Sequence, residues 1–116
     1  MPHTYSDIKR YDLNPAFILQ TAKRAVADLG WTIQRETNSE LVAALPKING
    51  YTAAVFTLNV HHGYVMLKCE AADSFIGSMR NGEIVNQFIQ ALDKLIAEVP
   101  AEKLSNLKDE HKLSFK

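Results

Sequence analysis

The chain has 116 residues with thirteen basic and thirteen acidic side chains, so its formal net charge is zero. That balance leaves no basic footprint for a nucleic-acid backbone and no Lys- and Arg-rich helix for an anionic membrane surface. A hydrophobic fraction of 47 % with 22 % charged residues is that of one ordinary globular domain, and the single cysteine, Cys69, excludes an internal disulfide scaffold.

Residues 1–13 read as an N-terminal arm. They contain no apolar signal region, and no run of about 18 apolar residues follows. The chain is therefore expected to be cytoplasmic, with no direct membrane insertion. Asn14-Pro15 marks a helix start: the Asn side chain can cap, and Pro suits the first helical position, where no N–H is needed. Ile18, Ala22, Ala25, Val26 and Leu29 then fall on one stripe, with Gln20, Lys23, Arg24 and Asp28 facing away. Gly30 closes that helix, and Trp31 can fold back on its last turn as a core anchor.

From Trp31 the period shortens to two. Trp31 to Gln34 and Leu41 to Leu45 read as short strands around the polar turn Thr37-Asn38-Ser39. Pro46 to Gly50 reads as a loop. Tyr51 to Val60 forms a third strand with Phe56, Leu58 and Val60 on one face. Gly63 turns a hairpin into a fourth strand, Tyr64 to Glu70, whose Val65, Leu67 and Cys69 share a face. Ala71 to Arg80 reads as a loop. A long helix follows from about Ser78, with a stripe of Val85, Phe88, Leu92, Leu95, Ile96 and Val99, and Pro100 stops it. Residues 100–116 form a polar tail with room for one helical turn near Leu104 to Leu107. Residues 14–99 are thus one α+β domain: a four-stranded antiparallel meander with two helices packed on one face.

No catalytic constellation stands out. His61 and His62 are adjacent, so a strand sends them to opposite faces, and they read as turn residues rather than metal ligands. Cys69 reads as a small buried core residue, not a nucleophile. Asp73-Ser74 and Ser78 to Glu83, with Arg80, lie near the second helix start and could meet an anion there, although a solvated cap explains them as well. No GxxxxGK[ST] run supports a nucleotide site. No cofactor, metal or catalytic residue is assigned.

The residues that alternate with the core set are more informative. Tyr51, Ala53, Val55 and Thr57 on one strand, and Tyr64 and Met66 on the next, must point away from the helices. A sheet covered on one side usually carries polar residues on its open face, whereas these are apolar or aromatic. Such a face is covered by another chain, by a ligand or by the C-terminal tail; the first is favoured, so Tyr51, Val55, Tyr64 and Met66 are expected to form an interaction face for a protein partner, with a second copy of the chain as the first candidate.

The run Leu29-Gly30-Trp31-Thr32-Ile33, a strand pair, the hairpin return Gly63-Tyr64-Val65, Ala72-Asp73-Ser74, and Asn81 with Val85-Asn86-Gln87-Phe88 resemble a small bacterial domain. That domain occurs in uncharacterised proteins, some of them attached to rhomboid-type membrane proteins. The resemblance spans about residues 14–99 and implies the α–ββββ–α order but no site residue. The chain departs from the pattern at Ile76-Gly77-Ser78-Met79, where similar domains tend to carry an aromatic and an acidic residue. Three functions follow in order of support: a non-catalytic interaction module using the open sheet face, a carrier of a small apolar ligand, and an enzyme.

Overall fold

A computed structural model describes residues 3–45, 54–71 and 75–108. The elements are β1 (His3–Arg10), α1 (Pro15–Asp28), β2 (Thr32–Glu36), β3 (Glu40–Ala44), β4 (Ala54–His61), β5 (Tyr64–Ala71), α2 (Phe75–Ala97) and α3 (Ala101–Asn106). The α+β class and the antiparallel sheet are as the periodicity predicts. Among the described residues the sheet has five strands rather than four, in the order β1-β5-β4-β3-β2. Strands β2 to β5 are the expected meander. The fifth strand comes from the expected N-terminal arm: β1 lies antiparallel to β5, with Ile8 opposite Met66 and Tyr5 opposite Cys69. This arm hides its character because an edge strand is wetted on one side and needs few apolar residues.

Helix α1 carries the chain across the sheet from the β1 edge to the β2 edge. It packs over β2, β3 and β4, while α2 packs over β5 and β1. Its start is capped as expected, the Asn14 side-chain oxygen accepting from the Ala16 N–H at 2.8 Å. Its end is a Schellman closure: the Trp31 N–H donates to the Val26 carbonyl and the Gly30 N–H to that of Ala27, each at 3.0 Å. Gly30 takes φ +79, a conformation costly for any side chain with a Cβ. Helix α2 begins at Phe75, earlier than the expected start near Ser78 and inside the expected loop. Asp73 and Ser74 lie outside the described residues. With that start, Arg80 falls in the second turn of α2. The expected tail contains α3, and the Asn14 N–H donates to the Leu107 carbonyl at 2.5 Å, tying the end of the described chain to the start of α1.

The core fills the space between helices and sheet. Leu41, Phe56, Leu58, Val65, Leu67 and Cys69 point up from the sheet, and Ile18, Ala22, Val26, Val85, Phe88 and Leu92 come down to meet them, all essentially without solvent exposure. Trp31 is buried at the corner where α1 enters the sheet. Its ring lies 5.4 Å from that of Phe56 and 6.4 Å from that of Phe88, and Phe56 and Phe88 are 4.5 Å apart. These separations suit favourable aromatic pairing. Ile96 and Val99, expected on the buried stripe, are half-buried, Val99 lying just past the end of α2.

Candidate functional site

The surface opposite the helices is uncovered by any described element. Pairing fixes what stands on it, because directly opposed residues share a face. One row runs Glu40, Asn59, Met66, Ile8; the next runs Val42, Thr57, Lys68, Ser6; a third runs Ala44, Val55, Glu70, Thr4; and Tyr64 sits between His61 and Arg10 at the hairpin end. Val55, Tyr64 and Met66 thus share the open face, as alternation requires. Tyr51 lies outside the described residues.

These three residues do not touch as one cluster. Val55 and Tyr64 belong to rows at opposite ends of the sheet, with the Thr57–Lys68 row between Val55 and Met66. The face is also more polar than its aromatic and Met residues suggest, since the same alternation places Lys68 and Glu70 on it, 3.3 Å apart as an ion pair. Tyr64 is half-buried and stacked on His61, with ring centroids 4.7 Å apart and planes 14° from parallel. The apolar centre of the face is instead Met66 with its cross-strand neighbour Ile8, 43 % and 59 % exposed. Together with Ser6, Asn59 and Lys68 they line a cleft of about 490 Å³. Ile8 escaped the sequence reading because its strand did. The alternation of Tyr5, Asp7 and Lys9 with Thr4, Ser6, Ile8 and Arg10 was the available signal, weakened by charge on both faces.

Other chemistry-bearing residues have structural work. Cys69 is fully buried on the helix side of β5. His61 ends β4 and His62 lies in the turn with Gly63, whose φ is +90. No group of three or more His, Cys, Asp or Glu side chains among the described residues is arranged to hold a metal ion. The Tyr11 hydroxyl donates to Asp93 Oδ1 at 2.6 Å, joining the end of β1 to α2, and Lys9 Nζ lies 3.8 Å from Asp93 Oδ2 and 5.9 Å from the Tyr11 ring centre. Burial, then the hydrogen bond to Asp93 and its negative charge, push the Tyr11 hydroxyl well above the ordinary tyrosine range, so it is neutral at physiological pH. This is a clamp between elements.

A second cleft, about 900 Å³, runs outside α1 and is lined by Phe17, Gln20, Arg24, Ile33, Lys103 and Leu107. Its mixed charged and apolar walls lie on the outer surface, away from the sheet–helix interior where an apolar cargo would be shielded. No helix among the described residues is long and apolar enough to cross a membrane. No protein-family model matches the chain, and no curated protein matches it.

Proposed function

We propose that the protein is a non-catalytic interaction module that docks a protein partner on the open face of its sheet. The observation that carries this reading is the pair Met66 and Ile8, side by side and about half exposed on a face that no described element covers. Polar groups surround the pair: Asn59, Lys68, Ser6 and Arg10. An apolar centre with a polar rim is the composition of protein interfaces. The carrier reading has less support, because Phe56, Phe88, Leu41 and their neighbours already fill the space between sheet and helices. An enzyme has less still, because no nucleophile, base and anion-stabilising group converge on one described surface.

A photoreactive amino acid at Val55, on the open face two strands in from the β1 edge, tests the proposal in extract from the source cells. A discrete covalent protein adduct is expected from position 55 and none from Gln20 on the outer side of α1. Met66→Lys should remove the adduct while circular dichroism stays native. No adduct at position 55, or one that survives Met66→Lys, would count against the open face as the docking surface.

A further inference from the structure

We infer that two copies of this chain join edge to edge through β1, making a continuous ten-stranded antiparallel sheet about a two-fold axis at Ile8. This is independent of what docks on the open face.

The two edges of the sheet differ. Strand β2 has five residues, its pairing to β3 slips between Ile33 and Arg35, and its C-terminal end is engaged by the Lys23–Glu36 and Arg35–Glu40 ion pairs. A short, bulged strand is how sheets close an edge to further pairing; charge does not separate the two edges, since β1 carries Asp7, Lys9 and Arg10. Strand β1 is eight residues long, with unbroken register against β5. Its outer side is a template of main-chain donors and acceptors.

Which residues point outward follows from two hydrogen bonds. The Tyr11 N–H turns inward and donates to the Gly63 carbonyl at 3.1 Å. The Ile8 N–H turns outward, where its acceptor is the Asp7 carboxylate at 2.8 Å. Main-chain groups alternate along an antiparallel strand, so Thr4, Ser6, Ile8 and Arg10 present theirs to the edge that no described strand covers. A second β1 must therefore pair these residues with each other.

Charge then selects the register. With Ser6 on the axis, Asp7 faces Tyr5 and no opposite-charge pair forms; with Asp7 on the axis, two carboxylates oppose each other; with Lys9 on the axis, two ammonium groups oppose each other. Like charges directly opposite destabilise a strand pair. With Ile8 on the axis, each Asp7 faces the other copy's Lys9 on the helix side, where that Lys9 also lies 3.8 Å from Asp93 of its own chain, and each Ser6 faces the other Arg10 on the open side. The opposite-charge pair forms twice. Asp7, which occupies the Ile8 amide in the single chain, exchanges that hydrogen bond for Lys9, and the two Ile8 residues exchange main-chain bonds. The two Ile8–Met66 patches merge beside the seam.

The register gives a geometric test. Hydrogen-bonded antiparallel partners have Cα atoms about 5.5 Å apart, within the disulfide range. In an Ile8→Cys variant the two introduced thiols would meet on the axis. In Ser6→Cys they would be separated by four residues along the strand, about 13 Å, beyond disulfide reach. Both sites are exposed, and native Cys69 is buried. In a glutathione redox buffer Ile8→Cys should give covalent dimer and Ser6→Cys only a trace. Wild type should sediment at twice the chain mass. Ile8→Pro, which removes a donor that β5 does not use, should sediment as a monomer with native circular dichroism. A monomeric wild type, equal cross-linking of the two cysteine variants, or a dimeric Ile8→Pro would each overturn the inference. Loss of the photo-adduct at Val55 leaves this result unchanged, so failure of the docking proposal and failure of the edge pairing read separately.

Discussion

Trp31→Ala tests the packing logic of the whole domain. The indole is 9 % exposed and closes a three-ring cluster with Phe56 and Phe88 at the corner where α1 gives way to β2. Replacing a buried aromatic residue by Ala typically costs about 3–5 kcal/mol, which includes the cavity left behind. The upper half of that range applies here, because both ring neighbours are themselves fully buried and each aromatic pair adds about 0.5–1.5 kcal/mol beyond area burial. Domains of this size have about 5–15 kcal/mol in total, so the variant should remain folded but with a much reduced margin. With a urea slope of about 1–3 kcal/mol/M, the unfolding midpoint should fall by about 2 M. Far-ultraviolet circular dichroism is the appropriate probe, since the substitution removes the only tryptophan. A loss below about 1 kcal/mol would mean that the corner repacks around Ala, contrary to the close packing of cores, and would refute Trp31 as an anchor.

Gly30→Ala should destabilise by about 1–2 kcal/mol from the left-handed backbone alone, since an added Cβ meets no atom within 4 Å; an unchanged unfolding midpoint would show that the Schellman turn relaxes. Cys69 should react with a thiol reagent in the native protein far more slowly than in urea, because burial protects the thiol and disfavours the thiolate; equal rates would place it at the surface. Tyr11 is neutral in the fold, and its hydroxyl is raised from an ordinary value of 10.0 by burial first and Asp93 second. A raised folded pKa means that its contribution is fully present below the unfolded value and is lost as pH rises above it. Stability should therefore fall more steeply above about pH 10 in wild type than in Tyr11→Phe; parallel curves would contradict the assignment.

The legible parts of this chain are those where one physical requirement dominates a segment. Asn14-Pro15 and Gly30 bound α1 because a cap oxygen, a missing N–H and a positive φ are local needs. Phe56, Leu58, Val65 and Leu67 announce the core because each strand is half buried. Strand β1 was not legible: its partner β5 lies some sixty residues away in sequence, and its inward set, Tyr5, Asp7 and Lys9, is two-thirds charged. The start of α2 was obscured by Gly77, Ser78, Asn81 and Gly82, which are weak helix formers; tertiary packing on β1 and β5 overrides them. For the candidate site, alternation placed Val55, Tyr64 and Met66 on the correct face. The same alternation puts Lys68 and Glu70 on that face as well; that Ile8 completes it depends on the pairing of β1 with β5, which alternation along one strand cannot show.

The apolar patch supplies only part of the free energy that an association on that face needs, the rest coming from its polar rim or from the β1 edge. Burying a side chain such as Ile or Met is worth about 1.5–3 kcal/mol, and Ile8 and Met66 are already about half covered. Covering the rest would add about 1.5–3 kcal/mol for the two together. Bringing two proteins together costs at least about 4 kcal/mol in lost rigid-body freedom. The two-fold arrangement at Ile8 changes this balance by presenting the patch twice and adding main-chain hydrogen bonds, each worth about 0.5–1.5 kcal/mol net, along a strand whose backbone is already ordered by β5. The Asp7–Lys9 pairs across the seam are surface pairs and contribute little energy; their role is to select one register over its neighbours. The association should therefore weaken only modestly with added salt, yet be abolished by Ile8→Pro. If salt dissociated the dimer while Ile8→Pro did not, charge rather than strand pairing would hold the copies together.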